Sequence, residues 1–158
     1  MESKETGKNP VVQKLKAWDA RAVAEVIEFR GETTLVVPPE HLLRAAQYLA
    51  TDASLKFSFL SDITAVDRFP AEPRFDLNYH LLSIERGLRV RLRLRLSGAE
   101  PAAPSVTSIW PTANWHERES FDLFGIRFHG HPDLRRILMP DDWEGYPLRK
   151  DYPVEGYR

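Results

Sequence analysis

The chain has 158 residues, of which 42% are apolar and 28% charged, the proportions of an ordinary globular domain and unlike those of disordered or collagenous chains. With 22 Lys and Arg against 23 Asp and Glu, a formal net charge of −1, the overall field offers no general attraction for a nucleic acid backbone. The lack of cysteine excludes disulfides, a cysteine nucleophile and an iron–sulfur cluster held by this chain's own thiolates.

The start Met1-Glu2-Ser3-Lys4-Glu5 is charged with no apolar stretch behind it, so a secretory signal is not expected and cytoplasmic residence is. Residues 1–16, polar at first and bearing Gly7 and Pro10, read as a flexible leader. From Trp18 to Phe29 the apolar positions recur largely at three- and four-residue spacing, which predicts an amphipathic helix ended by Gly31. Thr33 to Val37 is a β-branched strand stopped by Pro38-Pro39, and Leu42, Leu43, Ala46 and Leu49 predict a second helix from Pro39 to Thr51. Phe57–Asp67, Phe75–Glu85 and Leu88–Leu96 alternate as three strands of an antiparallel meander, the last two joined at Arg86-Gly87. In the last strand Leu88, Val90, Leu92, Leu94 and Leu96 share one face, and Arg89, Arg91, Arg93 and Arg95 the other. The arginine face reads as a solvated sheet surface, with docking of an acidic partner as the alternative. Ser97 to Pro104 reads as a linker. The fold class is therefore α+β: a mixed, largely antiparallel sheet with helices packed on it, over residues 17–104.

Composition shifts after residue 105, where aromatic residues, charges and prolines interleave. A helix capped by Thr112 and ended by Gly125 is expected. Its large apolar groups, Trp115, Phe121, Leu123 and Phe124, surround the axis, so it needs cover on several sides. Glu117, Arg118, Glu119 and Asp122 on such an enclosed helix imply a buried ion-pair network. After Met139, Pro140, Pro147 and Pro153 forbid regular structure while Trp143, Tyr146, Tyr152 and Tyr157 still favour burial. Residues 139–158 thus read as an extended C-terminal arm that wraps a partner; the alternative is a tail folded back on its own sheet.

The glycines at 125 and 130 do not make a phosphate loop, because His131 and Pro132 stand where Lys and Ser or Thr are needed. His116, His129, His131 and Asp133 are a weak set of zinc ligands, which keeps a small zinc hydrolase as a distant alternative.

One pattern is specific. Glu117-Arg118-Glu119, Asp122, Leu123-Phe124, His131, Arg135 and Ile137-Leu138 fill every position of a signature, and in it the chain resembles the 30-kDa subunit family of respiratory complex I, the C subunit of bacterial NADH–quinone oxidoreductase. Arg136, Leu138-Met139-Pro140, Trp143, Gly145 and Pro147-Leu148-Arg149-Lys150-Asp151-Tyr152-Pro153 are similar to the family's continuation. The resemblance is strong over 105–153 and a matter of element order over 30–104. It implies a structural subunit of the hydrophilic peripheral arm, on the cytoplasmic side of a bacterial membrane and peripheral to it. No cofactor is expected on this chain, FMN and Fe–S clusters being carried by partner subunits. The partners implied are other complex I subunits, chiefly the large quinone-site subunit of the 49-kDa type. The residues implied in partner contact are Trp115, Glu117, Arg118, Glu119, Asp122, His131, Arg135, Arg136, Trp143, Tyr146, Arg149, Lys150 and Tyr152. The equivalent subunit of a membrane-bound hydrogenase or a photosynthetic NDH complex is the nearer alternative.

Overall fold

The strict alternation of Leu and Arg in the last long strand fixes the layout, because one face of that strand must be dry and the other wet. In the computed structural model, which describes residues 9–157, strands β1 (Glu25–Phe29), β2 (Glu32–Val36), β3 (Phe59–Asp67), β4 (Phe75–Ser83) and β5 (Leu88–Leu96) form one sheet in the order β1-β2-β5-β4-β3. Within it only β2 and β5 run parallel, so the sheet is mixed and largely antiparallel, as expected. Helices α1 (Pro10–Trp18), α2 (Leu42–Thr51) and α3 (Ala113–Phe124) contribute to one core with its dry face. There Phe75, Leu77, Tyr79, Leu92 and Leu94 are wholly buried. Two short strands, β6 (Ala102–Pro104) and β7 (Arg127–His129), pair in parallel and bracket α3. No helix among the described residues is long and apolar enough to cross a membrane.

The amino-terminal expectations need correction. Residues 1–8 of the expected leader lie outside the described residues, but Pro10–Trp18 is a helix. Asn9 accepts from Val11 N–H as its cap, Pro10 opens it without wasting a donor, and Val11, Val12 and Leu15 enter the core. The expected helix over 18–29 is instead the end of α1, a 3-10 turn at Ala20–Ala22 and strand β1. Phe29 pairs with Glu32, leaving Arg30-Gly31 as a two-residue hairpin turn with both φ angles positive, 51° and 79°. That is the twist a tight antiparallel hairpin demands, so Gly31 serves the hairpin rather than ending a helix. The expected linker 97–104 contains β6.

On the wet face three of the four arginines, Arg91, Arg93 and Arg95, are already matched. Arg91 donates to Glu32 (2.7 Å), Thr34 (3.2 Å) and His80 Nε2 (2.8 Å), and His80 Nδ1 meets Asp62 at 2.6 Å. Because Nε2 accepts from Arg91, Nδ1 carries the proton and donates to Asp62. Arg93 donates to Asn78, and Arg95 pairs with Glu25 at 2.8 Å. This compensation favours the solvated-face reading over an acidic docking partner.

Since Leu15 is wholly buried while Lys16 is exposed, Leu15→Ala is expected to lower unfolding free energy by about 2–5 kcal/mol and Lys16→Ala by less than about 0.5 kcal/mol. Urea titration of the full chain checks this; a loose leader would make the two variants equal.

Candidate partner-binding site

Helix α3 starts after the turn at Trp110, whose indole N–H donates to the Phe57 carbonyl (2.9 Å). Thr112 makes no side-chain capping bond, contrary to expectation. The helix ends as predicted at Gly125, at φ 74°, with Gly125 N–H donating to the Phe121 carbonyl. A Cβ here would lie 2.5 Å from the Tyr146 ring and 2.7 Å from Arg149 Nη2. Glycine therefore lets the last segment of the chain press against the end of α3.

The charges on α3 do not pair with one another. Glu117 is wholly buried, and its carboxylate accepts from Ser105 Oγ and Val106 N–H, both at 2.7 Å. No cation among the described residues neutralises it. His131 Nε2 stands 3.9 Å away but donates to the Asn114 carbonyl at 3.1 Å, while His131 Nδ1 accepts from Asp133 N–H, which holds the neutral tautomer. Burial pushes Glu117 up to about 7, against the two donors that favour its ionised form. Arg118, also buried, donates to the carbonyls of Arg135 (3.1 Å) and Arg136 (2.8 Å) and lies over the Trp115 ring.

Asp122 is the hub. Its Oδ2 accepts from the N–H groups of Ile137 (3.1 Å), Leu138 (2.7 Å) and Met139 (2.9 Å), and its Oδ1 from Arg136 Nη1 (2.7 Å). Burial pulls this carboxyl upward, yet the Met139 N–H, Arg136 and the other two N–H groups together hold it below the usual carboxylate range. Arg136 then reaches on to the carbonyls of Trp143 and Gly145. The expected ion-pair network is thus a set of side chains tying backbone, with Glu119 outside it: Glu119 is exposed and makes no ion pair among the described residues.

The arm expected after Met139 is folded back on its own domain, as the alternative reading had it. Leu148 N–H donates to the Leu123 carbonyl and Arg149 Nε to the Phe124 carbonyl (2.6 Å), and Tyr146 meets Phe121 edge-on. Arg74 grips Asp67 and Asp151 together, at 2.7 and 2.6 Å, while Lys150 N–H donates to Asp67. The Arg74 guanidinium holds Asp67 far below the carboxylate range. Asp67, Arg74 and Ser105 were not among the residues singled out from sequence, and Asp151 was read only as part of the family's continuation; 77 positions separate Arg74 from Asp151, and no local spacing signals their meeting.

This tying leaves large apolar groups bare: Trp115 is 61% exposed, Leu138 58%, Leu148 52% and Trp143 41%. Arg135 is also exposed, paired with Asp133 at 2.8 Å, and Lys150 is exposed as well. Tyr152 is half-buried against Tyr157. The zinc alternative is not supported: His131 and Asp133 are engaged as described, and no metal-holding group of three acidic or imidazole side chains occurs among the described residues.

Two outcomes follow for stability. Asp122→Ala strands three N–H groups and is expected to cost about 3–5 kcal/mol, whereas Glu119→Ala stays within about 0.5 kcal/mol. Equal urea midpoints would contradict it. Because the pKa of Glu117 is higher folded than unfolded, folding takes up a proton between about pH 4.5 and 7, so this stability is present at low pH and lost as pH rises through about 7. Over that window wild type should lose up to about 3 kcal/mol relative to Glu117→Gln, read by denaturation at stepped pH.

The family model for the respiratory-chain NADH dehydrogenase, 30 Kd subunit, matches residues 35–158. The chain is 46% identical over 144 residues to the C subunit of NADH-quinone oxidoreductase from Roseiflexus sp. (strain RS-1), covering 91% of this chain and 83% of that protein. It is 49% identical over 137 residues to the C 2 subunit of NADH-quinone oxidoreductase from Rhizobium meliloti (strain 1021), covering 87% and 75%. Among solved structures, the trypsin-resistant fragment (1-134) of Nqo5 superposes with a TM-score of 0.64 at 33% identity, covering 77% of this chain and 97% of that one. A chain of the membrane-bound sulfane sulfur reductase, an archaeal respiratory membrane complex, superposes with a TM-score of 0.77 at 28% identity, covering 91% and 84%. With the signature built into the junction of α3 and the loop that Asp122 holds, and with this match over most of its length, the chain belongs to the 30-kDa subunit family of the respiratory-chain NADH dehydrogenase, which includes the C subunits of NADH-quinone oxidoreductase.

Proposed function

We propose that this chain is a cofactor-free structural subunit of the peripheral arm of proton-translocating NADH:quinone oxidoreductase, on the cytoplasmic side of the bacterial membrane, where it braces the large quinone-site subunit. In this reading electrons pass from NADH through FMN and Fe–S clusters on other subunits to quinone, and this chain contributes shape and rigidity. The observation that carries it is the pairing of a stiffly tied segment with bare apolar side chains: Asp122 and Arg136 fix the backbone from 136 to 145, Leu138 and Trp143 on that segment are exposed, and so are Trp115 on α3 and Leu148 just after it. Rigid aromatic and aliphatic anchors lose little entropy on docking, which suits a permanent interface. The zero cysteine count accords with clusters being held elsewhere. The residues proposed to face the partner are Trp115, Arg135, Trp143, Arg149, Lys150 and Tyr152, with Glu117, Arg118, Asp122, His131, Arg136 and Tyr146 positioning them; exposed Glu119 is placed at the rim.

A second reading, the equivalent subunit of another membrane-bound respiratory complex, draws on the likeness to the sulfane sulfur reductase chain. NADH-dependent quinone reduction by the purified complex separates the two. The bracing role is tested by hydrogen exchange on the isolated chain and on the assembled complex: residues 137–148 should gain protection on assembly. Unchanged exchange there would remove the proposed interface.

A further inference from the structure

A recess of about 450 Å³ opens where the C-terminal segment crosses the end of α3, with Glu100, Gly125, Arg127, His129, Tyr146 and Arg149 among the groups that line it. The Arg149 guanidinium lies 5.3 Å from the Phe75 ring centroid and 4.8 Å from that of Tyr146, and of its donors Nε is spent on the Phe124 carbonyl. Neither Nη group has a hydrogen-bond partner among the described residues, and both carboxylates whose charge it feels, Asp67 and Asp151, are bound by Arg74. Burial, with Arg74 alongside, lowers the pKa of this guanidinium, while Asp151, Tyr146 and Asp67 offset part of that. Arg127, exposed on β7, makes no ion pair among the described residues. Glu100 is the one carboxylate among the described residues of the lining.

We infer that this recess is a socket for an acidic side chain of a neighbouring subunit, whose carboxylate takes the free Nη donors of Arg149 while Arg127 adds the second positive charge. The inference rests on the proposed function and names the chemistry of one of its contacts. A planar guanidinium with both Nη groups uncommitted can offer them to a carboxylate side by side, which favours bidentate recognition and geometric selectivity. Tyr146 and Arg149 are the residue types that dominate interface energetics, and the bare Leu148 beside them supplies the apolar border that excludes water from such a pair. A carboxylate on a partner, and not a free anion, is favoured because the recess is continuous in sequence with the outward-facing segment 138–148.

The test uses the chromosomally encoded chain in its membrane complex. A photo-cross-linking residue in place of exposed His129 is expected to capture a segment of another subunit carrying Asp or Glu. Arg127→Glu is expected to reduce assembled complex on native gels by about tenfold while leaving the isolated chain's urea midpoint unchanged. Reversing the captured acid to Arg should restore assembly in the Arg127→Glu background. Wild-type assembly of Arg127→Glu, or capture only of a segment without acidic residues, overturns the socket and leaves the bracing role standing. A chain that does not copurify with the complex at all overturns both.

Discussion

The loop that follows β7 hangs from one carboxylate. Asp122 sits near the end of α3, fully buried, and closes three consecutive backbone N–H groups and one guanidinium around itself. An anion receiving that many donors needs no separate counter-ion to remain charged in the interior, and it fixes three residues of backbone that have no helix or strand to hold them. Arg136 extends the same hold by clasping carbonyls at Trp143 and Gly145. Order in a proline-broken segment is thereby imposed by side chains, in place of the ladders that proline forbids.

The consequence is an inversion of the usual surface. Arg118, Asp122 and Arg136 are spent inward on backbone, while Trp115, Leu138, Trp143 and Leu148 remain in water. A lone exposed leucine requires no explanation, but several large apolar groups on a rigid segment do. Glu117 fits the same pattern from the other side, a carboxylate kept in the core by a serine hydroxyl and a backbone N–H without a cation among the described residues.

Strand β5 was legible in the sequence because alternation of Leu with Arg leaves no other period available, and the strands β4 and β3 that pair with it in turn followed from the meander it ends. Gly125 was equally legible, since a glycine after an apolar helical stretch has a distinctive conformational use. The hairpin of β1 and β2 was not: Trp18 to Phe29 joins the end of one helix to a strand, and the spacing of Val26, Ile27 and Phe29 beside Trp18 mimics a helical stripe. The cue that favoured the true start was Asn9-Pro10, a cap followed by the residue best tolerated at a first helical position. The seating of the tail was illegible for a different reason. Composition reveals that aromatic rings want cover, but not that Phe121 meets Tyr146 or that Arg74, far back in the chain, holds Asp151. Of the signature residues, the sequence grouped Glu117, Arg118 and Asp122 correctly as interior and erred on Glu119, whose burial depends on which side of α3 the sheet lies.

The arginine ladder on the open side of the sheet has a bearing on how the fold tolerates change. Shifting β5 by a single residue against β4 would carry Arg89, Arg91, Arg93 and Arg95 from solvent into the hydrocarbon side, and simultaneously undo their matches with Glu25, Glu32 and Asn78. The ladder is thus a vernier for strand alignment: mispaired intermediates meet a steep penalty, and indels that survive in relatives should cluster in the connections flanking this strand and spare the strand itself.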